Sequence, residues 1–488
     1  MQRASNFAVP VVAASMLAAC HSSQSQSQAT LTRDELLDPE SCKGCHQEHF
    51  ADWAGSMHAY SSQDPIFLAM NKRGQRETNG ALGNFCVTCH APMAVHEGAT
   101  TDGLNLDQVP KKLHGITCFF CHAVESVDGS HNNPLKLATD GFLRAAIADP
   151  FAPNRVHDAA YSPLLDRNRA ESGATCGSCH DIVNGHGTAI ERTFTEWTKS
   201  AFATTSGTTC GQCHMPQSTV DKPAAQVQGA PLRRPHSHTF PAVDVALTPF
   251  PDTQRQRNQV QALLDTTLQT AICVEPFGSQ GQLSVIMDDV AAGHSFPSGS
   301  AQDRRAWVEL IGYQGGNVIY QSGVVPAGQP AAKSTDPDLW LLRDCMFDAL
   351  DKEVHMFWEA SSFETNALPP LTTFDVSSPD FYQTHKYRYF PVAGSTIPMP
   401  DRITMRVRLE PVGLEVVDDL IASGDLDPSV RAAFTTFQVG GQLEWTPATA
   451  TSTYIDRATG TTVLCATNTN LNVRADKFPA PTRSKCKP

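Results

Sequence analysis

Cys42-Lys43-Gly44-Cys45-His46, Cys86-Val87-Thr88-Cys89-His90, Cys118-Phe119-Phe120-Cys121-His122, Cys176-Gly177-Ser178-Cys179-His180 and Cys210-Gly211-Gln212-Cys213-His214 fall within the first 214 residues of a 488-residue chain. In each, two thiols are spaced to bond covalently to the vinyl groups of a haem. The histidine directly after the second cysteine is placed to take the proximal position on the iron. A zinc ribbon or a disulfide framework is the alternative for one such motif alone. Zinc sites need motifs in pairs around one metal, and five is odd. The sequence therefore calls for five covalently bound haem c groups, held by Cys42, Cys45, Cys86, Cys89, Cys118, Cys121, Cys176, Cys179, Cys210 and Cys213, with His46, His90, His122, His180 and His214 as proximal ligands.

Five of the fifteen cysteines lie outside these motifs: Cys20, Cys273, Cys345, Cys465 and Cys486. Cys20 closes Leu17-Ala18-Ala19-Cys20 after Arg3 and an apolar stretch from Phe7 to Ala19. Residues 1–19 thus read as a signal peptide of the lipoprotein type, too short to span a bilayer as a permanent helix. Cleavage leaves Cys20 as a lipid anchor, and residues 20–30, mostly serine and glutamine, form a flexible tether. His21 stands where an aspartate would signal inner-membrane retention, so the expected address is the outer membrane, on its periplasmic or cell-surface face. Export agrees with haem attachment and stable disulfides. Cys273, Cys345, Cys465 and Cys486 form two disulfides, with three connectivities open.

Composition divides the rest of the chain. Residues 31–245 hold every attachment motif among glycines, prolines and short helical pieces. They are expected to form a mostly α or irregular pentahaem domain in which porphyrin replaces much of the core. Residues 246–274 connect, with a helix over Gln254 to Thr270. From about 275 to 488, the segments Gln282 to Met287, Ala306 to Ile311, Asn317 to Tyr320 and Ile403 to Leu409 alternate apolar and polar residues, as half-buried strands do. A β-sandwich-like domain follows, with helical insertions between Val416 and Phe437.

The haem region contains an internal repeat. Phe50-Ala51-Asp52-Trp53-Ala54-Gly55-Ser56-Met57-His58-Ala59 matches Phe194-Thr195-Glu196-Trp197-Thr198-Lys199-Ser200-Ala201-Phe202-Ala203. Both copies read as amphipathic helices whose apolar faces pack on haem or on a neighbouring helix. The first carries His58 where the second has Phe202, so His58 is a candidate distal ligand and the second copy is expected to be structural.

Several of these residues together resemble the tetrahaem cytochrome c-554 type, a family structurally related to hydroxylamine oxidoreductase. They are Cys42 to His46 followed by Trp53, Ser56 and His58, then Cys89-His90-Ala91-Pro92 with His96. Gly115 to His122, Cys176 to Asp181, Glu196-Trp197 before Thr209 to Pro216, and His238-Thr239-Phe240-Pro241 extend the match over roughly the first half of the chain. Gly293-His294-Ser295-Phe296-Pro297-Ser298-Gly299 is similar to a segment of larger members with a C-terminal β domain. The resemblance implies fold and cofactors more than activity, since the family holds both electron carriers and enzymes. It implies His58, His96 and His157 as distal ligands. His238 is preferred to His236, and His294 competes with His131 for the fifth iron. His49 follows His46 too closely to reach the opposite face, and His114 lies on the attachment segment of Cys118.

The formal charge of −13 grows with the haem propionates, which argues against nucleic acid and for modest steering of basic redox proteins. No phosphate loop, Ser-His-Asp set or His-Glu-x-x-His motif occurs, and no attachment motif ends in lysine. An enzyme would have to work at an open haem. Whether the chain has its own substrate is left open, and the preferred reading is electron transfer with unidentified redox proteins. The alternative is reduction of a small nitrogen or sulfur oxyanion, or hydroxylamine, at one open haem.

Overall fold

The computed structural model describes residues 30–147, 156–455, 460–468 and 486. The signal segment, Cys20 and the tether up to residue 29 lie outside them. None of the helices among the described residues is long and apolar enough to cross a membrane.

The chain is multi-domain, as its composition suggests. The N-terminal part is a succession of short helices and loops. Attachment motifs close on helices of a turn or two: Val87–His90, Cys118–His122, Ser172–His180 and Cys210–His214. One helical turn brings residues i, i+3 and i+4 to the same face, so both thiols and the imidazole of a motif emerge together. The residue ahead of the motif starts the turn. Thr117 Oγ1 accepts from Phe120 N at 3.2 Å, and Thr209 N–H donates to Gln212 Oε1 at 2.9 Å, which satisfies amides that a helix start leaves unbonded. The longest helix of this region, Pro65–Glu77, begins with Asp64 capping Ile66 N. Strands here are two-stranded ribbons, among them Val124–Val127 with Leu135–Leu137, and Phe142–Ala145 parallel to Asp158–Tyr161.

The C-terminal part is a sandwich of two antiparallel sheets. One runs in the order Lys386–Phe390, Gln280–Asp289, Leu268–Phe277, Thr462–Thr467, Ser452–Ile455, and the other Asn317–Ser322, Arg305–Gln314, Arg402–Glu410, Phe437–Trp445. Alternation places Leu283, Val285 and Met287 in one core with Val308, Leu310, Met405, Val407 and Trp445 of the facing sheet. Ile286 turns to the other face, against Ala271, Cys273 and Cys465. Each such apolar side chain contributes about 1.5–3 kcal/mol on burial. The first strand starts at Leu268, inside the stretch read as a connector, because the expected helix ends at Thr267. The helical insertions are Leu414–Ala422 and a 3₁₀ turn, Pro428–Ala433.

The two parts are joined over broad contacts. Helix Pro65–Glu77 packs Ala69 and Met70 on Val416, Val417 and Leu420, with Arg73 paired to Asp419 at 2.6 Å. Arg192 of the N-terminal part stacks over Phe363 and bonds Asp344 at 2.5 Å.

The sulfur pairs are Cys273 with Cys465 and Cys345 with Cys486. Peptide mapping without reductant is expected to recover these two linkages and neither of the other connectivities. Replacing Cys273 and Cys465 together by alanine should cost about 2–4 kcal/mol of β-domain stability in denaturant titrations.

Candidate cofactor sites

Four proximal histidines each face a second imidazole that comes from far away in the chain. The ring centres of His46 and His157 are 6.2 Å apart, and those of His58 and His180, His122 and His238, and His214 and His294 are all 6.4 Å apart. Two imidazoles bound on opposite sides of one metal, with each metal–nitrogen bond about 2 Å, place their ring centres a little over 6 Å apart. The four pairs have the spacing that a haem iron between two histidines requires, so these residues fit the group their motifs imply.

The protonation state of the rings suits ligation. His46, His90, His122 and His214 each hold a backbone carbonyl through Nδ1, those of Ala224 (2.9 Å), Ser61 (3.1 Å), Arg144 (2.6 Å) and Pro241 (2.7 Å). A carbonyl only accepts, so Nδ1 carries the proton and Nε2 keeps its lone pair for the metal. Three of the facing histidines do the same, His157 to Asp158 O, His238 to His236 O and His294 to Ser295 O. Burial, reinforced by neighbouring imidazoles, pushes the pKa of His58 down to about 3. Burial likewise pushes His90 to about 4. Both are neutral, the form with an electron pair to give.

One loop ties several sites together. His238 faces His122, Phe240 lies against His58 with ring centres 4.4 Å apart and the rings tilted by 42°, and Pro241 O holds His214. Phe240 has φ of +44°, a conformation costing about 1–3 kcal/mol that a non-glycine residue keeps only when its surroundings fix it. The segment before the third motif also runs close to the helix bearing His58. Ile116 N donates to His58 O at 2.9 Å, and a Cβ on Gly115 would stand 2.6 Å from that same oxygen. The attachment cysteines of different motifs also lie near one another, Cys42 by Cys118, Cys89 by Cys179, and Cys176 by Cys210.

Other sequence candidates are placed elsewhere. His96 lies on the helix Pro92–His96 with its ring half exposed and bonded to Glu97 Oε1 at 3.0 Å. His131 is exposed beside Ser130 Oγ. Of the two residues competing for the fifth motif, His294 is the one brought opposite His214. His90 is not in any of the four pairs; it stacks on Phe67 at 4.1 Å and 4°. His114 directs Nε2 to Val109 O. His49 stacks on His238 at 4.7 Å, a contact that its nearness to His46 in sequence does not announce.

Residues 41–123 match the family model described as Cytochrome c554 and c-prime. The crystal structure of a penta-heme cytochrome c552 from Thermochromatium tepidum is similar in fold, with a TM-score of 0.58 at 18% identity, covering 84% of this chain and 98% of that chain. None of the curated proteins matches the sequence. The resemblance to multihaem c-type cytochromes thus holds in the sequence of residues 41–123 and, over 84% of the chain, in the fold.

The tightest approach in the sites is the ring of Phe194 on Gly177, inside the fourth attachment motif, where a Cβ would stand 2.3 Å from Phe194 Cγ. Gly177→Ala is expected to push the helix Thr193–Lys199 away and cost about 1–3 kcal/mol by overpacking, measured as a lowered thermal midpoint of the holoprotein. Gly185→Ala, with open space around its Cβ, is the control and should change little.

Proposed function

We propose that the chain transfers electrons through five covalently bound haem c groups, one at each motif, with His157, His58, His238 and His294 completing four of the sites. Covalently bound haem c and haem-based electron transfer are what the family match and the cytochrome fold bear on directly. The observation that carries the finer reading is the set of four histidine pairs at 6.2–6.4 Å. When bound, the iron of each haem supplies a one-electron couple. The chain's residues do the rest. Backbone carbonyls lock the ring tautomers, and burial lowers the polarity around each site. The fifth site, at His90, lies outside the four pairs.

The same proposal has the mature chain exported, beginning at a lipid-modified Cys20 and held at the outer membrane on its periplasmic or outward face. Redox proteins are its partners, basic ones favoured by the acidic charge.

Coulometric titration of the purified protein should take up five electrons per chain, matching five haems by pyridine haemochrome. His58→Met should shift the potential and spectrum of one haem while all five remain attached, because the thioether bonds and proximal His180 are untouched. Steady reduction of nitrite or hydroxylamine at a useful rate, or a count of four or six, would contradict the proposal.

A further inference from the structure

The internal repeat is one device used twice. In the first copy, Phe50 lies under Lys43 of the first motif, with Nζ 5.0 Å from the ring centre. In the second, Phe194 covers Gly177 of the fourth motif. The tryptophans reach forward instead. Trp53 Nε1–H donates to Ile116 O at 2.7 Å, and Trp197 Nε1–H donates to Thr208 O at 2.9 Å. Both carbonyls stand two residues ahead of a later attachment cysteine, Cys118 and Cys210 respectively. Ser56 and Ser200, equivalent in the repeat, each take the carbonyl of their copy's tryptophan through N–H at 2.9 Å.

The acidic residues hold the other side. Asp52 Oδ2 accepts from Ser237 Oγ at 2.8 Å and from His238 N at 3.1 Å. Glu196 Oε2 accepts from Ser298 Oγ at 2.7 Å and from Ser295 N at 3.1 Å. His238 faces His122 of the Cys118 motif, and His294 faces His214 of the Cys210 motif. So in both copies the tryptophan is bonded to the attachment segment of a site, and the neighbouring carboxylate is bonded to the loop that brings the opposite imidazole to that same site. The two loops are unrelated in sequence, and one of them, 290–304, belongs to the β domain. The longer glutamate serves the loop that comes from there. Each carboxylate also pairs with a cation, Arg255 at 2.9 Å from Asp52 and Arg192 at 3.6 Å from Glu196.

We propose that Asp52-Trp53 and Glu196-Trp197 are duplicated positioning residues, each pair setting the distance between the two faces of one haem site, the third and the fifth. The inference rests on the ligand pairs proposed above. None of the four touches the iron; they act through the loop and the segment that carry the histidines. Breaking a clip frees the distal loop while the thioethers and the proximal histidine stay in place, so the outcome is a change of spin state at one known haem.

The experiment is electron paramagnetic resonance and optical spectroscopy of oxidised holoprotein carrying Asp52→Ala, Glu196→Ala or both, beside His238→Ala and His294→Ala. Asp52→Ala should convert one haem from low to high spin, the same one that His238→Ala converts. Glu196→Ala should convert the haem that His294→Ala converts, and the double variant should convert both. Haem content should not change, and Asp52→Asn and Glu196→Gln, which keep an acceptor oxygen, should restore most of the low-spin signal. If neither histidine variant lowers the number of low-spin haems, the ligand assignment fails and takes the clip with it. If they convert a haem but the acid-to-alanine variants do not, or both acids affect the same haem, the clip alone is wrong. Should the alanine variants not accumulate, Ser237→Ala and Ser298→Ala each remove one of the two bonds by which a carboxylate holds its loop. Each should then shift the midpoint potential of its own haem, and unchanged potentials in both would overturn the proposal.

Discussion

A metal held between two imidazoles fixes their ring centres a little over 6 Å apart, and most of the N-terminal half is arranged to meet that distance four times. The members of each pair are far apart in the chain: His46 with His157, His58 with His180, His122 with His238, His214 with His294. Each pair therefore closes a long loop. Helices of four or five residues, such as Val87–His90 and Cys210–His214, have no independent stability. Their persistence depends on what they hold and on carbonyls that orient the rings from neighbouring segments.

The β domain has its own core and contributes directly to the sites. It sends the loop around His294 back to the fifth motif, and Arg304 in the following turn is bonded to Asp244 of the stretch leading into the domain. In the proposed ligation the sandwich thus carries one of the histidines, and helix Pro65–Glu77 is joined to it by ion pairs with Asp419 of the insertion Leu414–Ala422 and with Asp425 just beyond it. Movement of one part against the other would displace His294 from His214.

Much of this was legible in the sequence. Five motifs of invariant form declare the attachment chemistry, and period-2 alternation located the strands near 282–287, 306–311, 317–320 and 403–409 to within a few residues. His58, His157 and His238 stand out from the repeat and the resemblance, with His294 in competition with His131, but nothing local says which motif each one faces, because pairing is decided by loops that cross the whole domain. His96 fits the family's pattern, yet its helix follows directly on the second motif and leaves the ring beside Glu97 at the surface. The repeat is visible as similarity, and its difference at His58 and Phe202 stands out first. Its meaning lay in the positions that do not change, since Asp52, Glu196 and the two tryptophans find their partners only in three dimensions. The sulfur connectivity was illegible for the same reason: Cys273 and Cys465 meet because two strands far apart in sequence lie side by side.

The most direct test of the account is spin-quantified electron paramagnetic resonance of the fully oxidised protein. Four histidine pairs predict low-spin ferric signals of the bis-imidazole kind from four haems per chain, with the site at His90 the one free to differ. High-spin signals amounting to two or more haems per chain would show that the pairs do not hold iron between them.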